Sequence, residues 1–457
     1  MLTVEKIGGT SMSALKEVID NIILYDRSGE TLYNRVFVVS AFSGVTNLLL
    51  ENKKSKAPGV YQKLARREDF RSELASVAEY LKTLNQQYEY LGLDRNEADQ
   101  VVDAEMKTAL TYLDSAVTML ASGYLNEGIL LAAREILASL GESHSAYVLA
   151  SILQARGLNA RLVDLAGTSD SRPLSITERI KDAFQDIDLK SCIVIATGYT
   201  KGTEGIMREF DRGYSEVTFS RIAEILKPEE AIIHKEYHLS TADPGLVGLD
   251  NVKPVGNTNY DIADQLADVG MEAIHPKASK PLEMAGIHLR IKNTFQPEHP
   301  GTLITKDYIS KLKRIEVITG TDQQLLIDIY DPLMTGNVGS DLAIMQCFAD
   351  YGISYTFKAT SANSISIVIW ESDLDEALIA ALRKKFERVT THPIAMVCLL
   401  GSNMDQPGLL ANATAALARA EVSVIAIGMA SGRVNIQFAV DREQFKAAIT
   451  ALNKAVG

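Results

Sequence analysis

The sequence predicts an α/β protein, with a three-layer α/β/α domain followed by two smaller α+β modules. Through the first 300 or so residues, short apolar runs alternate with helical patterns, as in a largely parallel sheet covered by helices on both faces. Beyond the turn-rich segment 296–301, strand and helix patterns follow the order βαββαβ twice, which indicates an internal repeat of ferredoxin-like modules. A chain of 457 residues is long enough for several domains.

The first domain is expected to span residues 1–305. Its buried strands are predicted at Leu2–Val4, Arg35–Ser40, Ala160–Val163, Ser191–Thr197, Glu230–His234 and His288–Lys292. Residues 47–140 show helical periodicity with few strand signals and predict a helical insertion. A further helix is expected over Ala146–Arg156, so that Glu142 would lie just before its N-terminus.

The second half is expected to contain one module over residues 313–392 and another over 393–457. Its strands are predicted at Ile315–Ile318, Leu325–Tyr330, Ile365–Trp370, Ala395–Leu400, Val422–Ile427 and Val434–Val440. Its helices are predicted at Gly339–Tyr351, Leu374–Val389, Gly408–Ala420 and Arg442–Val456. In each module a turn-rich loop precedes the first helix.

Composition limits the possible partners and location. The net charge of −12 argues against nucleic acid and anionic membranes as partners. The three cysteines, Cys192, Cys347 and Cys398, lie far apart in apolar runs, which is typical of reduced core residues in a cytoplasmic protein. No signal-like or membrane-spanning apolar segment is expected.

The segment Lys6–Ser11 is the first candidate site. A strand that delivers a lysine and then turns on Gly8 and Gly9 can place an ammonium and bare backbone N–H groups beside a phosphate. Phosphoryl transfer is therefore the first hypothesis, and an ordinary strand-to-loop turn is the alternative. The sequence contains no metal-binding motif, so a Mg²⁺ ion would be carried by nucleotide phosphates.

Three further segments have both a functional and a structural interpretation. The hydroxyl-rich segment Ser40–Thr46 follows a strand, where it can bind a ligand or cap the next helix. Glu142 can bind a substrate ammonium or complement a helix dipole. Arg212 and Glu216 can meet the carboxylate and the amine of a substrate, or form a surface ion pair.

Seven motifs in a fixed order resemble the aspartate kinases of the amino-acid kinase family, over essentially the whole chain. They are Lys6–Ser11, Val39–Asn47, Gly141-Glu142, Arg212-Gly-Tyr-Ser-Glu216, Ser240–Pro244, Ile274–Pro276 and Ile291–Phe295, the last followed by Pro300-Gly-Thr. The C-terminal repeat resembles the paired ACT domains of these enzymes, in which the second is inserted into the first. The first ACT domain would then also include the C-terminal strand and helix.

The resemblance implies ATP-dependent phosphorylation of the side-chain carboxylate of L-aspartate, with ATP and Mg²⁺. It makes Lys6 and Glu216 the catalytic residues. It assigns to bound aspartate Ser40, Thr46, Glu142, Arg212 and Ser215. It assigns to the nucleotide Gly8, Gly9, Ser11, Gly198, His234, Lys235, Ser240 and Glu272. It places ACT effector sites at Asp331, Met334 and Asn337 in one loop and at Gln406 and Pro407 in the other, and it implies a homodimer formed through the ACT domains.

Departures from the family pattern concentrate on the nucleotide side. The family's Arg-Gly-Gly-Ser-Asp motif is Arg212-Gly-Tyr-Ser-Glu216 here, so Glu216 replaces its Asp. His234-Lys235 replaces Thr-Asp, Ser240 replaces Tyr, Gly245 replaces Arg and Glu272 replaces Lys. The opposite charge changes at Lys235 and Glu272 predict an exchanged ion pair.

The same set of variant motifs resembles the aspartate kinases associated with ectoine biosynthesis, in which feedback by lysine or threonine would be weak or absent. Two alternatives stay open. One is an amino-acid kinase with another acidic acceptor, and the other is a catalytically impaired ACT-domain ligand sensor.

Overall fold

The computed structural model describes all residues except 54, 124–126, 169, 211, 212, 268, 272, 273, 430, 431, 433 and 457, and omits the side chains of 209 and 456. Two compact units make up the chain. The first unit contains residues 1–238 and 275–305, and the second contains residues 239–274 and 306–457.

The strands are β1 (Thr3–Ile7), β2 (Arg35–Val39), β3 (Ala160–Val163), β4 (Ile193–Thr197), β5 (Glu230–Lys235), β6 (Asn257–Asn259), β7 (His288–Asn293), β8 (Thr302–Thr305), β9 (Val317–Tyr330), β10 (Phe357–Thr360), β11 (Ser364–Trp370), β12 (Arg388–Leu400), β13 (Val424–Gly428) and β14 (Asn435–Asp441).

The α-helices are α1 (Gly9–Ser13), α2 (Leu15–Glu17), α3 (Val45–Leu49), α4 (Val60–Ala65), α5 (Phe70–Tyr88), α6 (Arg95–Ala121), α7 (Glu127–Ala155), α8 (Ile176–Phe184), α9 (Ile206–Phe210), α10 (Tyr214–Leu226), α11 (Pro244–Val247), α12 (Tyr260–Ala267), α13 (Pro276–Met284), α14 (Ser340–Asp350), α15 (Glu376–Arg383), α16 (Leu409–Arg419) and α17 (Phe445–Val456). A π-helical turn covers Val18–Ile23.

The first unit is built on a mainly parallel sheet. Its strands lie in the order β3-β4-β2-β1-β5-β7-β8; those from β3 to β7 pair in parallel, and β8 pairs antiparallel with β7. Every residue of β1, β2 and β4 is buried, as expected for central strands with both faces covered. The predicted α/β class is confirmed, although β8 was not predicted.

The helix that contains Glu142 differs from the prediction. It was expected to begin after Ser145, but α7 runs from Glu127 to Ala155, so Glu142 lies in its middle and not at an N-terminus. Gly141 does not break this helix. A Cβ on Gly141 would lie 2.7 Å from the Ala41 side chain, so the glycine is needed for close packing of α7 against the segment after β2.

Helix α7 is also long and apolar enough to cross a membrane by length and composition. Within its most apolar window, 83% of the helix is buried inside the fold, as for the core helix of a globular domain. The three cysteines are likewise buried and form no disulfide with one another, which agrees with the predicted core positions.

The second unit contains a six-stranded sheet in the order β10-β11-β9-β12-β14-β13. The sequence divided β9 into two strands, but β9 is continuous because Gly320 lets it approach β12. A Cβ there would lie 2.3 Å from the Met396 carbonyl oxygen. The long antiparallel pairing of β9 with β12 joins two similar halves, and β10 and the first residues of β12 were not predicted as strands.

Residues 239–274 pack with the second unit, although the sequence-based division placed them in the first domain. Leu239, Val255 and Ile262 lie in one buried cluster with Met396 and Cys398 of β12. The alternate residues of β12, such as Val397, pack instead in a cluster with helices α16 and α17. Residues 239–274 therefore cover the sheet face opposite these helices.

Candidate active site

The site lies where the first unit's strands end. Strand β1 lies between β2 and β5, and Lys6 is level with Val38 on one side and Ile233 on the other. The carboxyl ends of parallel strands meet at one edge of the sheet, which is where open α/β sheets bind ligands. Ser40 follows β2 at this edge, and Lys235 ends β5.

Lys6 and Glu216 form the central ion pair. The Lys6 ammonium donates to Glu216 Oε1 at 3.2 Å, and the His275 backbone N–H donates to Glu216 Oε2 at 2.7 Å. Burial alone would raise the pKa of Glu216, but Lys6, Lys235 and the His275 amide together lower it below its ordinary value. Glu216 is therefore a charged carboxylate with both oxygens engaged, and it pairs with Lys6, whereas the sequence predicted that it would meet a substrate amine.

Three serines connect the strand ends with helices α7 and α10. Ser40 donates its hydroxyl hydrogen to Ser215 Oγ at 3.2 Å, and Ser145 of α7 donates to the Ser40 carbonyl at 2.9 Å. Gly198, at the end of β4, makes this packing possible. A Cβ there would lie 2.8 Å from the Ser215 Cβ and 3.2 Å from the Glu142 Cγ, so the structure places Gly198 among the residues predicted to bind aspartate.

Glu142 is the second carboxylate of the site and is only 2% exposed. It accepts a hydrogen bond from the Tyr214 hydroxyl at 3.3 Å and another from the Ala41 backbone N–H. Burial raises the pKa of Glu142 to about 8, although the Ala41 amide, Tyr214 and Lys6 act in the opposite direction. The site thus holds two carboxylates whose pKa values are displaced in opposite directions, which is common at functional sites.

Glycine is present at the two positions after β1 for different reasons. A Cβ on Gly9 would lie 2.7 Å from the Ala41 carbonyl oxygen, so packing alone requires Gly9. Gly8 has an ordinary extended backbone, with φ −70°. Its nearest neighbour to an added Cβ is the His234 carbonyl oxygen at 3.7 Å. The fold does not need a glycine at position 8.

Two residues predicted to contact the nucleotide are buried in other contacts. His234 Nε2 lies 2.8 Å from Glu5 Oε2 on the face of β1 opposite Lys6, because adjacent residues of a strand face opposite sides of a sheet. Ser11 is fully buried and accepts a hydrogen bond from the Thr294 hydroxyl at 2.9 Å. These contacts give the two side chains structural roles.

The remaining predicted residues are placed as follows. Thr46 lies in the first turn of α3, which begins after Gly44. Ser240 is buried in the second unit and forms a bridge with Pro254. Arg212 and Glu272 lie outside the described residues, so the predicted ion pair between Lys235 and Glu272 stays a prediction.

The two predicted effector loops occupy equivalent positions in the second unit. Asp331 caps a short 3-10 turn by accepting from the Leu333 N–H at 2.8 Å, and α14 begins after Gly339, whose φ is +101°. Gln406 and Pro407 lie in the other loop, and α16 begins after Gly408, whose φ is +85°. The loops therefore share one construction, in which a left-handed glycine starts the helix.

Sequence reasoning did not identify three contributors to the site. The His275 amide is a backbone group, and Ser145 acts from a helix that was expected to begin after it. Tyr214 was visible in the sequence, because it replaces the second glycine of the family's Arg-Gly-Gly-Ser-Asp motif. Among the described residues, no group of three His, Cys, Asp or Glu side chains could hold a metal ion.

Comparison with known proteins agrees with this fold. Residues 1–293 match the amino acid kinase family and residues 397–456 match the ACT domain. The fold and these matches define an amino acid kinase with a C-terminal ACT region.

An aspartate kinase of Stutzerimonas stutzeri, Ask_Ect, is 44% identical over 466 residues, which cover 100% of this chain and 97% of that protein. Aspartokinase 1 of Arabidopsis thaliana is 27% identical and covers 99% of this chain. The structure of E. coli aspartokinase III in complex with aspartate and ADP superposes with a TM-score of 0.73 at 19% identity, over 100% of this chain and 99% of that one. The chain belongs to the amino acid kinase family, as one of its aspartate kinases.

Proposed function

We propose that the cluster around Lys6 holds L-aspartate for phosphorylation of its side-chain carboxylate by ATP. The observation that carries this proposal is the convergence of one charged lysine, two hydroxyls and two carboxylates at the carboxyl edge of β1, β2 and β4. Phosphoryl transfer to a carboxylate removes no proton from the acceptor, so catalysis is positioning and charge neutralisation. A cluster without a general base is suited to that chemistry.

Each side chain then has a distinct role. The Lys6 ammonium neutralises the phosphoryl group as it moves, and Glu216 fixes the ammonium through its own contact with the His275 amide. Glu142 binds the substrate ammonium. Ser40, Ser215 and Thr46 offer hydroxyls to the substrate carboxylates, and Arg212 supplies the bidentate partner of the α-carboxylate.

The nucleotide side is proposed to begin at Gly8. Because the fold does not require a glycine there, the missing Cβ is explained by the close approach of a phosphate to the backbone. Lys235 adds positive charge near Glu216. A Mg²⁺ ion would be carried by the ATP phosphates, since Mg²⁺ commonly keeps its waters and uses substrate oxygens as ligands. Ser240 and Glu272 remain predicted nucleotide contacts.

An ATP-dependent aspartate hydroxamate assay tests the proposal, with the Gly8→Ala variant as its structural probe. The variant is expected to fold as the wild type does and to raise the KM for ATP at least about tenfold, because a methyl group would stand where the phosphate lies. Gly128→Ala is the matched control, since nothing lies within 4 Å of a Cβ at Gly128, and at Gly8 the nearest atom is the His234 carbonyl oxygen at an ordinary 3.7 Å. An unchanged KM for ATP in Gly8→Ala would reject the phosphate role of this glycine.

The same assay decides between the acceptors. Turnover with aspartate alone among acidic amino acids supports the proposed substrate. Turnover with another acidic amino acid, or no turnover with preserved effector binding, would support one of the two alternatives.

The physiological setting is also a proposal. Similarity to a relative named Ask_Ect supports a cytoplasmic enzyme that supplies aspartyl phosphate for ectoine synthesis, and we expect lysine and threonine at millimolar concentrations to leave its activity unchanged. A homodimer through the ACT domains is supported by edge strand β13, where Val424, Ile425 and Ile427 are exposed. Light scattering of the wild type and of Ile427→Glu would test the dimer.

A further inference from the structure

We propose that Tyr214 is a positioning residue that sets how tightly the site binds aspartate, by donating its hydroxyl hydrogen to Glu142. The inference rests on the proposed role of Glu142 as the partner of the substrate ammonium. Tyr214 stands where the family motif has a glycine. A glycine has no side chain to donate, so this contact depends on the tyrosine at position 214.

The geometry restricts Tyr214 to one arrangement. It is the first residue of α10 and is 2% exposed. Its ring meets the Tyr199 ring edge to face, with centroids 5.6 Å apart and an interplanar angle of 73°, which is a favoured aromatic arrangement. Tyr199 in turn donates its hydroxyl hydrogen to Glu135.

The two tyrosines therefore engage two carboxylates on the same helix. Glu135 and Glu142 are seven residues apart in α7, which is about two turns and places them on one face. Tyr199 binds the first and Tyr214 binds the second. The two packed rings lie along that face, and this packing holds the hydroxyl of Tyr214 at Glu142.

The effect on binding follows from the charge that Glu142 must carry. A substrate ammonium is bound well only by an ionised carboxylate, and a donated hydrogen bond favours the ionised form. The groups that face Glu142 from its surroundings are Lys6 of β1, the Ala41 amide and Tyr214, with Tyr199 close enough to interact electrostatically. Lys6, the Ala41 amide and Tyr214 favour the ionised form of Glu142. Burial outweighs them and raises the pKa of Glu142 to about 8.

Aspartate binding near neutral pH should therefore require Glu142 to release a proton. The KM for aspartate in the wild type is expected to fall as pH rises from 6 towards 8 and then to level off. Removal of the Tyr214 hydroxyl displaces this curve to higher pH. A displacement of one pH unit corresponds to a tenfold change in the ionised fraction below the pKa.

The test compares Tyr214→Phe with Tyr199→Phe over pH 6 to 9, by steady-state kinetics and by calorimetric titration of aspartate in two buffers that differ in protonation enthalpy. We expect Tyr214→Phe to raise the KM for aspartate about tenfold at pH 7, with kcat within about twofold of wild type, and to move the levelling-off to higher pH. Tyr199→Phe removes the same atom from the neighbouring ring but contacts Glu135. Its pH profile should coincide with that of the wild type.

Two results would overturn the inference. One is a Tyr214→Phe profile that coincides with the wild type. The other is a fall in kcat at all pH values with no displacement of the KM curve, which is what a purely structural tyrosine would give.

Glu142→Gln separates this failure from failure of the proposed function. If Glu142→Gln binds aspartate as tightly as the wild type at pH 9, where the wild-type carboxyl is ionised, Glu142 is not the ammonium partner, and both ideas fall. If Glu142→Gln weakens binding while Tyr214→Phe does not, only the role of Tyr214 is rejected. In the double variant, loss of the tyrosine hydroxyl should add no further pH dependence.

Discussion

Glu5 and Lys6 are neighbours in β1, yet they face opposite sides of the sheet and differ in how fully they are engaged. Glu5 is 1% exposed and accepts from Arg35 through both oxygens, at 2.7 and 3.1 Å, as well as from Thr3 and His234. Lys6 is 8% exposed, and among the described residues its ammonium donates to Glu216 alone.

The difference indicates how to separate a structural charge from a functional one. The Glu5 cluster uses its hydrogen-bonding capacity within the fold, and Arg35 also donates to the carbonyls of Ile22 and Ile23. An ammonium can donate three hydrogen bonds, so Lys6 retains capacity for a ligand. Burial is similar on the two faces, and the unused donors of Lys6 distinguish the face that is proposed to bind substrate.

The largest expected effect comes from removing Lys6. Lys6→Ala should lower kcat about 10³-fold, because a preorganised charge at the moving phosphoryl group is lost. Its urea unfolding midpoint should fall, because Glu216 is left buried without its partner, so turnover is compared per folded molecule. Lys16→Ala, which removes an exposed lysine paired with Asp20, is the matched control. Wild-type turnover in Lys6→Ala would contradict the assignment of this face.

Glu5→Gln should mainly lower the stability of the fold and leave the activity nearly unchanged. Removing the charge leaves Arg35 buried without its carboxylate, which is expected to lower the free energy of unfolding by about 3–5 kcal/mol. Activity per folded molecule should stay within about threefold of wild type. Urea titrations read the stability, and Glu73→Gln at the half-buried pair with Lys63 should cost less than about 1 kcal/mol. A folded but inactive Glu5→Gln would remove the distinction between the faces.

Much of this comparison could be predicted from the sequence, because motif order brings Lys6, Ser40, Glu142, Ser215 and Glu216 to one edge of the sheet. The strands of the first unit were predictable as apolar runs. The face of His234 was not recognised, although Glu5 and Arg35 are charged residues inside otherwise buried strands. Glu5, Arg35 and His234 lie in adjacent buried strands. Their presence there was the sequence signal for a buried cluster whose members bond to one another.

Other features depend on contacts that no local pattern contains. Gly141 suggests a helix end, but its role is close packing against Ala41. Gly320 similarly permits β9 to continue beside β12. Residues 239–274 carry an ordinary apolar pattern, and only the location of Leu239 and Ile262 against the second sheet assigns them to that unit.

A third expected effect is a difference in the pH dependence of stability. The pKa of Glu142 is raised to about 8 in the folded chain by burial, so the folded state retains a proton that the unfolded state has released. Wild-type stability should therefore decrease as pH rises from about 5 to 8, by at most about 1.4 kcal/mol per pH unit. Glu142→Gln should show a smaller decrease, because Glu105, whose pKa burial also raises to about 8, still contributes in the variant.

Urea titrations without aspartate at pH 5.5 and pH 8 measure this difference. The contribution of the Glu5 cluster to stability is expected to change with pH in the opposite direction. Burial would raise the pKa of Glu5, but Arg35 and His234 lower it well below its usual range. Its stabilisation is present above the unfolded pKa near 4.5 and declines as pH falls below that value. Parallel decreases in the wild type and in Glu142→Gln between pH 5.5 and 8 would show that Glu142 is charged in the empty site.

The most direct test of the account is a crystal structure of the full chain with aspartate and a non-hydrolysable ATP analogue. The account predicts the aspartate side-chain carboxylate beside Lys6 Nζ, the aspartate ammonium against Glu142 and the nucleotide phosphates over Gly8. An aspartate ammonium held away from Glu142, or a substrate bound on the Glu5 face of β1, would contradict it.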